Sequence, residues 1–393
     1  MNRPPWILPA IVVGQLLVTA TWFAPNAVIG HLQTLWGASG GVGMVTTAVQ
    51  IGFISGTLVF ALAGIADRFH ASSVFLCSAL VAAGSNMLVV AAPGWFTGAL
   101  VARFVTGVSL AGVYPVGMKI AAGWFAGGLG RALGYLVGAL VLGTASPHLL
   151  HALGQEWDWR FVFLGSSLAA VAGGVLVSRV PEGPNLARTG RIRVGGILAA
   201  FRVPGFRAAA FGYFGHMWEL YGFWAFAPVW LAAYGFHGER LSLLSFGAIG
   251  LGALGCAGGG FLSVWLGSGR IALGQLAVSG LCCLLSPLLF AASPATVVAF
   301  FLVWGLTVSG DSPQFSALNA RNAPTEVVGS ALTLTNCIGF SLTIPSLMLL
   351  DWLHAHVGPA YLLIVLAPGP AFGLWAGRRL LRDRASRAAA PAR

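Results

Sequence analysis

The stretch Gly107-Val108-Ser109-Leu110-Ala111-Gly112-Val113-Tyr114-Pro115 returns in outline 198 residues later as Gly305-Leu306-Thr307-Val308-Ser309-Gly310-Asp311-Ser312-Pro313. Each copy lies inside a long apolar segment, and each keeps glycine at its first and sixth positions and proline at its ninth. Pro147 and Pro345 share the same offset, and Trp22-Phe23-Ala24-Pro25 is echoed by Ala225-Phe226-Ala227-Pro228. Three matches at near-constant spacing point to a chain built as two parallel, similar halves.

Outward from the repeat, apolar windows of roughly 18 to 25 residues, the length that crosses a bilayer as helix, fall at 7–29, 42–64, 72–93, 96–118, 130–151 and 160–180. A second set falls at 207–232, 241–265, 271–291, 295–318, 328–350 and 359–377. The expected fold is all-α and integral to the membrane: twelve spans in two pseudo-symmetric six-helix bundles, 1–180 and 207–377, with a polar linker at 181–206 and a basic tail at 378–393. With 57% apolar and 8% charged residues, the chain cannot coat a soluble globule of 393 residues. Arg3 and the apolar run after it resemble a signal peptide, but the run spans about 20 residues with no small-residue cleavage site, so it reads as the first span.

The formal charge of +11 is spread over segment ends with no nucleic-acid module, so it reads as topology and not as nucleic-acid binding. Pro181, Pro184 and Pro204 interrupt the linker, which holds Arg188, Arg191, Arg193 and Arg202. Arg68, Lys119, Arg131, Arg270, Arg321 and the tail Arg378, Arg379, Arg382, Arg384 and Arg387 fall on the same side. The opposite side has Arg160 and Arg240 beside Glu156, Asp158, Glu239 and Asp351. Positive charge marks the cytoplasmic side, which places both termini there, in a bacterial inner membrane.

Cys77, Cys256, Cys282, Cys283 and Cys337 all lie in apolar segments without a CxxC pair, so neither a disulfide frame nor a metal site is expected, and no cofactor. No Ser/His/Asp set, HExxH or phosphate loop is present, which argues against an enzyme. His354 and His356 near Asp351 read as a solvated loop. A receptor or sensor is disfavoured because the linker and tail are too short to hold a signalling domain.

Two acids stand at membrane depth. Glu219 lies in Phe214-Gly215-His216-Met217-Trp218-Glu219-Leu220-Tyr221, about 18 Å into its span, near the middle of a hydrocarbon layer about 30 Å thick. A carboxylate there costs roughly 2.5 to 3.5 kcal/mol on insertion scales and normally faces a partner, a cavity or a proton path. It can alternate between a charged, paired form and a neutral, protonated one, which makes Glu219 the first proton-coupling candidate. A permanent structural pair is the alternative. His216 lies on the same helical face, three residues away. Asp311 opens Asp311-Ser312-Pro313-Gln314-Phe315, where proline weakens the preceding turn; Asp311 and Gln314 then meet substrate or freed backbone, or Pro313 acts as a hinge.

The loop Ala63-Gly64-Ile65-Ala66-Asp67-Arg68-Phe69 resembles the G-x-L-A-D-R-x-G signature of the major facilitator superfamily, and Gly260-Phe261-Leu262-Ser263-Val264-Trp265-Leu266-Gly267 its decayed copy. Ala63 replaces the first glycine and His70 the last, while Ala71, Ser72 and Ser73 stand where basic residues usually follow. The conformational latch implied by the resemblance therefore reduces to Asp67 and Arg68. Arg103-x3-Gly107-x3-Ala111-Gly112 is similar to that family's R-x3-G motif, whose arginine is tied to proton coupling or anion binding. Gly138-x4-Gly143-Thr144-Ala145-Ser146-Pro147 lacks the Gly-Pro pair of drug–proton antiporters, and the paired arginines of nitrate porters have no counterpart.

The resemblance further implies that spans one, four, seven and ten line a central cavity. Arg103, Glu219 and Asp311 all fall on that set. Arg103 is expected to bind substrate, pair with Glu219 or pack. Trp22, Asn26, Trp218, Tyr221, Trp224 and Trp304 are candidate substrate walls, with Thr333, Thr335 and Asn336 from span eleven. The expected function is proton-coupled transport of a small organic solute, with uptake of an anion favoured on account of Arg103. Partners are that solute, protons and lipid, and a monomer suffices. The rival reading is proton-driven efflux of amphipathic drugs or metabolites.

Overall fold

A computed structural model of the protein describes residues 4–37, 41–125, 129–154, 157–185, 200–324 and 327–381. Glu156, Arg188, Arg191, Arg193, Arg382, Arg384 and Arg387 lie outside the described residues, as do the side chains of Asp67 and Arg131. Among the described residues all regular structure is helical, since in hydrocarbon a helix satisfies its backbone groups internally.

Span one is Ile7–Thr19, resumed after a break by Ala24–Ala27 and Ile29–Trp36. Spans two to six are Val42–Ala63, Ala71–Ala91, Phe96–Leu110 with Tyr114–Trp124, Leu129–Leu153 and Arg160–Ser178. Span seven is the continuous helix Pro204–Tyr234. Span eight is Gly238–Gly250 with Gly252–Leu266, span nine Ser268–Leu285 with the 3-10 turn Ser286–Ala291, and span ten Pro294–Val308 with Ser312–Asn322. Span eleven is Val328–His356, and span twelve the mixed 3-10 and α run Pro359–Leu381. Ten of these runs are long and apolar enough to cross a membrane; the others are the broken span one and span seven, whose 31 residues include the buried His216 and Glu219. Span seven begins at Pro204, so the last residues of the expected linker already belong to its helix.

The halves pack alike. Span one lies on five and six as seven lies on eleven and twelve; span two crosses four as eight crosses ten; span three lies on six as nine lies on twelve. Close backbone approach at these crossings explains the repeated glycines. A Cβ on Gly107 would lie 2.1 Å from the Val49 carbonyl oxygen of span two, and one on Gly305 would lie 1.6 Å from that of Ala248 in span eight. Gly112 and Gly310 instead make room for side chains, Ser78 of span three and Gln275 of span nine. Pro115 and Pro313 then restart the helix after each break, at a position that has no use for the missing N–H.

The two halves meet along spans two and eleven and along five and eight. At the end of the bundle opposite the termini, the Asp351 carboxylate of span eleven accepts from the backbone N–H groups of Gly41 (3.4 Å) and Gly43 (3.3 Å), capping span two across the interface. At the related junction, His151 Nδ1 of span five lies 2.8 Å from Ser242 Oγ of span eight.

Candidate functional site

Between the halves lies a cavity of about 30 Å³, bounded by Tyr114, Tyr213, Met217, Tyr221, Trp224, Ser309, Ser312 and Phe340, with Val137, Leu140, Val141 and Leu220. That is room for one or two waters. Trp22 and Phe53 of the first half seal it: Trp22 lies 5.0 Å from Phe53, 5.8 Å from Tyr221 and 6.1 Å from Phe340, ring centre to ring centre.

Helical geometry decides which face of span seven meets this cavity. At about 100° per residue, Tyr213, Met217, Leu220, Tyr221 and Trp224 form one stripe. Glu219 points about 140° away from its centre and His216 about 85° away. Glu219 accordingly turns into the second half. Its Oε1 accepts from Trp304 Nε1 at 2.7 Å and from the Cys283 thiol at 3.3 Å, and its Oε2 from Ser279 Oγ at 2.9 Å. Three donors from spans nine and ten thus hold one fully buried carboxylate.

His216 and Asp311 complete this polar interior. His216 Nδ1 lies 2.8 Å from Asp311 Oδ1, both side chains fully buried, though the pair is not aligned as a directional hydrogen bond. Asp311 sits in the break of span ten, where its carbonyl accepts from the N–H groups of Gln314 and Phe315. Around it, His216 Nε2, Asp311 Oδ2, Ser309 Oγ and Gln275 Oε1 are buried without a hydrogen-bond partner. A polar seam therefore follows the break, reaching the cavity wall at Ser309 and lying one residue from the cavity-lining Ser312.

Arg103 is placed elsewhere. Pro25 has no N–H to give the Thr21 carbonyl four residues earlier, and the Asn26 N–H turns to Phe23. Arg103 fills both gaps, donating from Nη1 to Thr21 O at 2.8 Å and from Nη2 to Trp22 O. It ties the broken first span to the fourth and does not meet Glu219. The equivalent position in the second half is Phe301, and there the helix runs on unbroken through Pro228. The expected preference for an anion loses its basis in this arrangement.

The other expected contacts divide. Tyr221 and Trp224 line the cavity and Trp22 closes it. Asn26 donates to Thr46 Oγ1 at 3.0 Å. Trp218 turns to span twelve and donates to Val365 O at 3.1 Å. Trp304 serves Glu219. Gln314 is buried beside the break, and Asn336 is half-buried and does not line the cavity. Thr333 and Thr335 bond their own helix. Arg68 is exposed, whereas Lys119 ties the loop after span two by donating to Ala66 O at 2.5 Å. Pro313 heads the second piece of span ten. Tyr114, Tyr213, Met217, Ser309, Ser312 and Phe340 are lining residues that the sequence reading missed. The signal for Tyr213 and Met217 was present in their helical spacing from Tyr221 and Trp224.

Comparison with curated protein sequences finds no match. Among solved structures, the proton:xylose symporter XylE bound to 6-bromo-6-deoxy-D-glucose is similar with a TM-score of 0.73 at 12% identity, over 95% of each chain. A bacterial homologue of the human lysosomal transporter Spinster, inward-facing and unoccupied, is similar with a TM-score of 0.69 at 15% identity, over 100% of each chain. These likenesses show the fold. The family model for the Major Facilitator Superfamily matches residues 11–346, and with the twelve spans and the two-half packing above, the chain belongs to the major facilitator superfamily of membrane transporters.

Proposed function

We propose that the chain is a proton-coupled secondary transporter that carries a small uncharged organic solute by alternating access. The solute enters between the halves once they part and enlarge the cavity, which as it stands holds only one or two waters, and it stacks on Tyr221, Trp224 and Phe340 and bonds to tyrosine and serine hydroxyls. The proton is carried by Glu219, His216 and Asp311. The observation behind this reading is the gathering of three buried ionisable groups in one bundle, His216 and Glu219 within a turn of span seven and Asp311 of span ten 2.8 Å from His216, beside the cavity wall but not in it. Ionisable groups at membrane depth mark ion pathways, and protonation can favour one facing direction only by interacting differently with the two states.

In this proposal the rocking bodies are the halves on either side of the 181–206 linker. The protein is a monomer in a bacterial inner membrane, with both termini cytoplasmic. Aromatic walls without a fixed charge also suit an amphipathic solute moving outward, which is the second reading.

The test is proton release or uptake by purified protein in weakly buffered detergent, on adding small anions, amphipathic cations and neutral hydroxylated solutes in turn. A ligand-induced proton signal that vanishes in Glu219→Gln supports the coupling role and names the solute class. In liposomes the same variant should lose proton-driven accumulation while keeping counterflow exchange. If both activities persist, Glu219 is structural.

A further inference from the structure

A second hollow, of about 310 Å³, opens at the end of the bundle that carries the termini, between the start of span seven and the end of span twelve. Its walls carry Arg207, Arg378 and Arg379, with Phe211 and Trp375. All three arginines are exposed, and none has a carboxylate within ion-pair distance among the described residues. Arg378 lies over the Trp375 ring at 5.6 Å, a cation–π contact that holds the guanidinium in place. Three positive charges around one hollow repel each other and call for an anion with several acceptor oxygens.

The second wall names the source of that anion. Phe211 lies 5.7 Å from Phe372, and Phe372 lies 6.1 Å from Trp375, giving a run of rings beside the arginines. Phe372 is 43% exposed and Trp375 61% exposed on the outside of the bundle. A soluble phosphate has no use for such a wall, whereas an acyl chain does. Basic hollows between helices flanked by an interfacial tryptophan are suited to lipid headgroups. We propose that this hollow binds an anionic phospholipid, its phosphate on Arg207, Arg378 and Arg379 and its chain along Phe211, Phe372 and Trp375.

Native mass spectrometry of the full chain released from detergent, titrated with phosphatidylglycerol or with phosphatidylcholine of the same chains, tests this. Wild type should retain one phosphatidylglycerol in preference to phosphatidylcholine. Arg207→Gln/Arg378→Gln/Arg379→Gln should lose that retention by about 100-fold, at about a factor of five for each charge removed. The control Arg179→Gln/Arg270→Gln/Arg321→Gln removes the same net charge from exposed positions outside the hollow and should retain the lipid. Equal losses in the two triple variants, or no loss in either, overturn the proposal. Retention of inorganic phosphate or glycerol 3-phosphate as tightly as the lipid overturns the lipid assignment, because the aromatic wall would then contribute nothing.

Discussion

Gly43→Ala should force the bundle open at the end opposite the termini. The new Cβ would stand 2.7 Å from the Leu347 carbonyl oxygen and 2.8 Å from Asp351 Cβ. Carbon and carbonyl oxygen ordinarily stay about 3.3 to 3.6 Å apart, so spans two and eleven must separate by at least about 0.6 Å there. The bonds from Gly41 and Gly43 to Asp351, at 3.4 and 3.3 Å, are already long and will not survive that movement. Overpacking of this kind costs about 1 to 3 kcal/mol, which falls only on the closed arrangement and shifts the balance toward the opened one about 5- to 150-fold. Asp351→Asn keeps an acceptor but loses the charge at the helix start, worth about 0.3 to 1 kcal/mol, so its effect has the same sign and is smaller. Hydrogen exchange of the first turns of span two, in lipid nanodiscs, reads the opened population directly. The order of exchange should be Gly43→Ala, then Asp351→Asn, then wild type. Wild-type exchange in a folded Gly43→Ala protein would refute the closure assigned to this contact.

Arg103→Lys replaces two guanidinium donors by one ammonium and strands a buried carbonyl of span one; an unsatisfied buried group costs about 1 to 3 kcal/mol. Thermal unfolding followed by tryptophan fluorescence should show a lower midpoint, and an unchanged midpoint would mean that Thr21 and Trp22 do not need the donor. Gly305→Ala puts a Cβ 1.6 Å from a span-eight carbonyl, while a Cβ on Gly258 meets nothing within 4 Å. The first variant should lose 3 kcal/mol or more, at the upper end of overpacking costs of about 1 to 3 kcal/mol, and Gly258→Ala should gain up to about 1 kcal/mol from helix propensity. Equal midpoints for the two would contradict the crossing geometry.

Spans were legible because each apolar run has to be long enough to cross and must close its own hydrogen bonds, so hydropathy marks length directly. The repeat was legible for a related reason. Gly107 and Gly305 are needed where span four crosses two and span ten crosses eight, and Pro115 and Pro313 stand at helix restarts, where the missing N–H costs nothing. The break in span one was half legible: Pro25 announces an orphaned carbonyl, but the donor that fills it is 82 residues away at Arg103, a distance no local pattern covers. That distance is why substrate binding, pairing with Glu219 and packing all stayed open for Arg103 in the sequence. For Glu219 the direction was available in the spacing of Tyr213, Met217, Tyr221 and Trp224, which form a separate stripe. Its partners Ser279 and Cys283 lie on span nine, where no charge drew notice.

In the proposed coupling, Glu219 and His216 occupy a different face of span seven from the cavity stripe, so a proton influences the solute through backbone that both sides share. The break in span ten is that backbone: Ser309 and Ser312 face the cavity, and Asp311 between them touches His216. The two proline breaks also differ in stiffness. In span one the Thr21 carbonyl that Pro25 leaves open is taken by a charged guanidinium; in span ten the Ser309 carbonyl that Pro313 leaves open accepts from the Ser312 N–H at 3.3 Å and from the Cys256 thiol at 3.2 Å, both neutral and the thiol a weak donor. Movement is therefore cheaper in span ten. Pro313→Ala restores an N–H that can reach the Ser309 carbonyl and removes a ring that disfavours continuous helix by about 3 kcal/mol. Amide exchange over 309–315 should slow at least tenfold, and ligand-induced proton release should weaken even though Glu219, His216 and Asp311 are unaltered. Undiminished release from a variant whose break has stiffened would mean that the proton acts on the cavity through span seven instead.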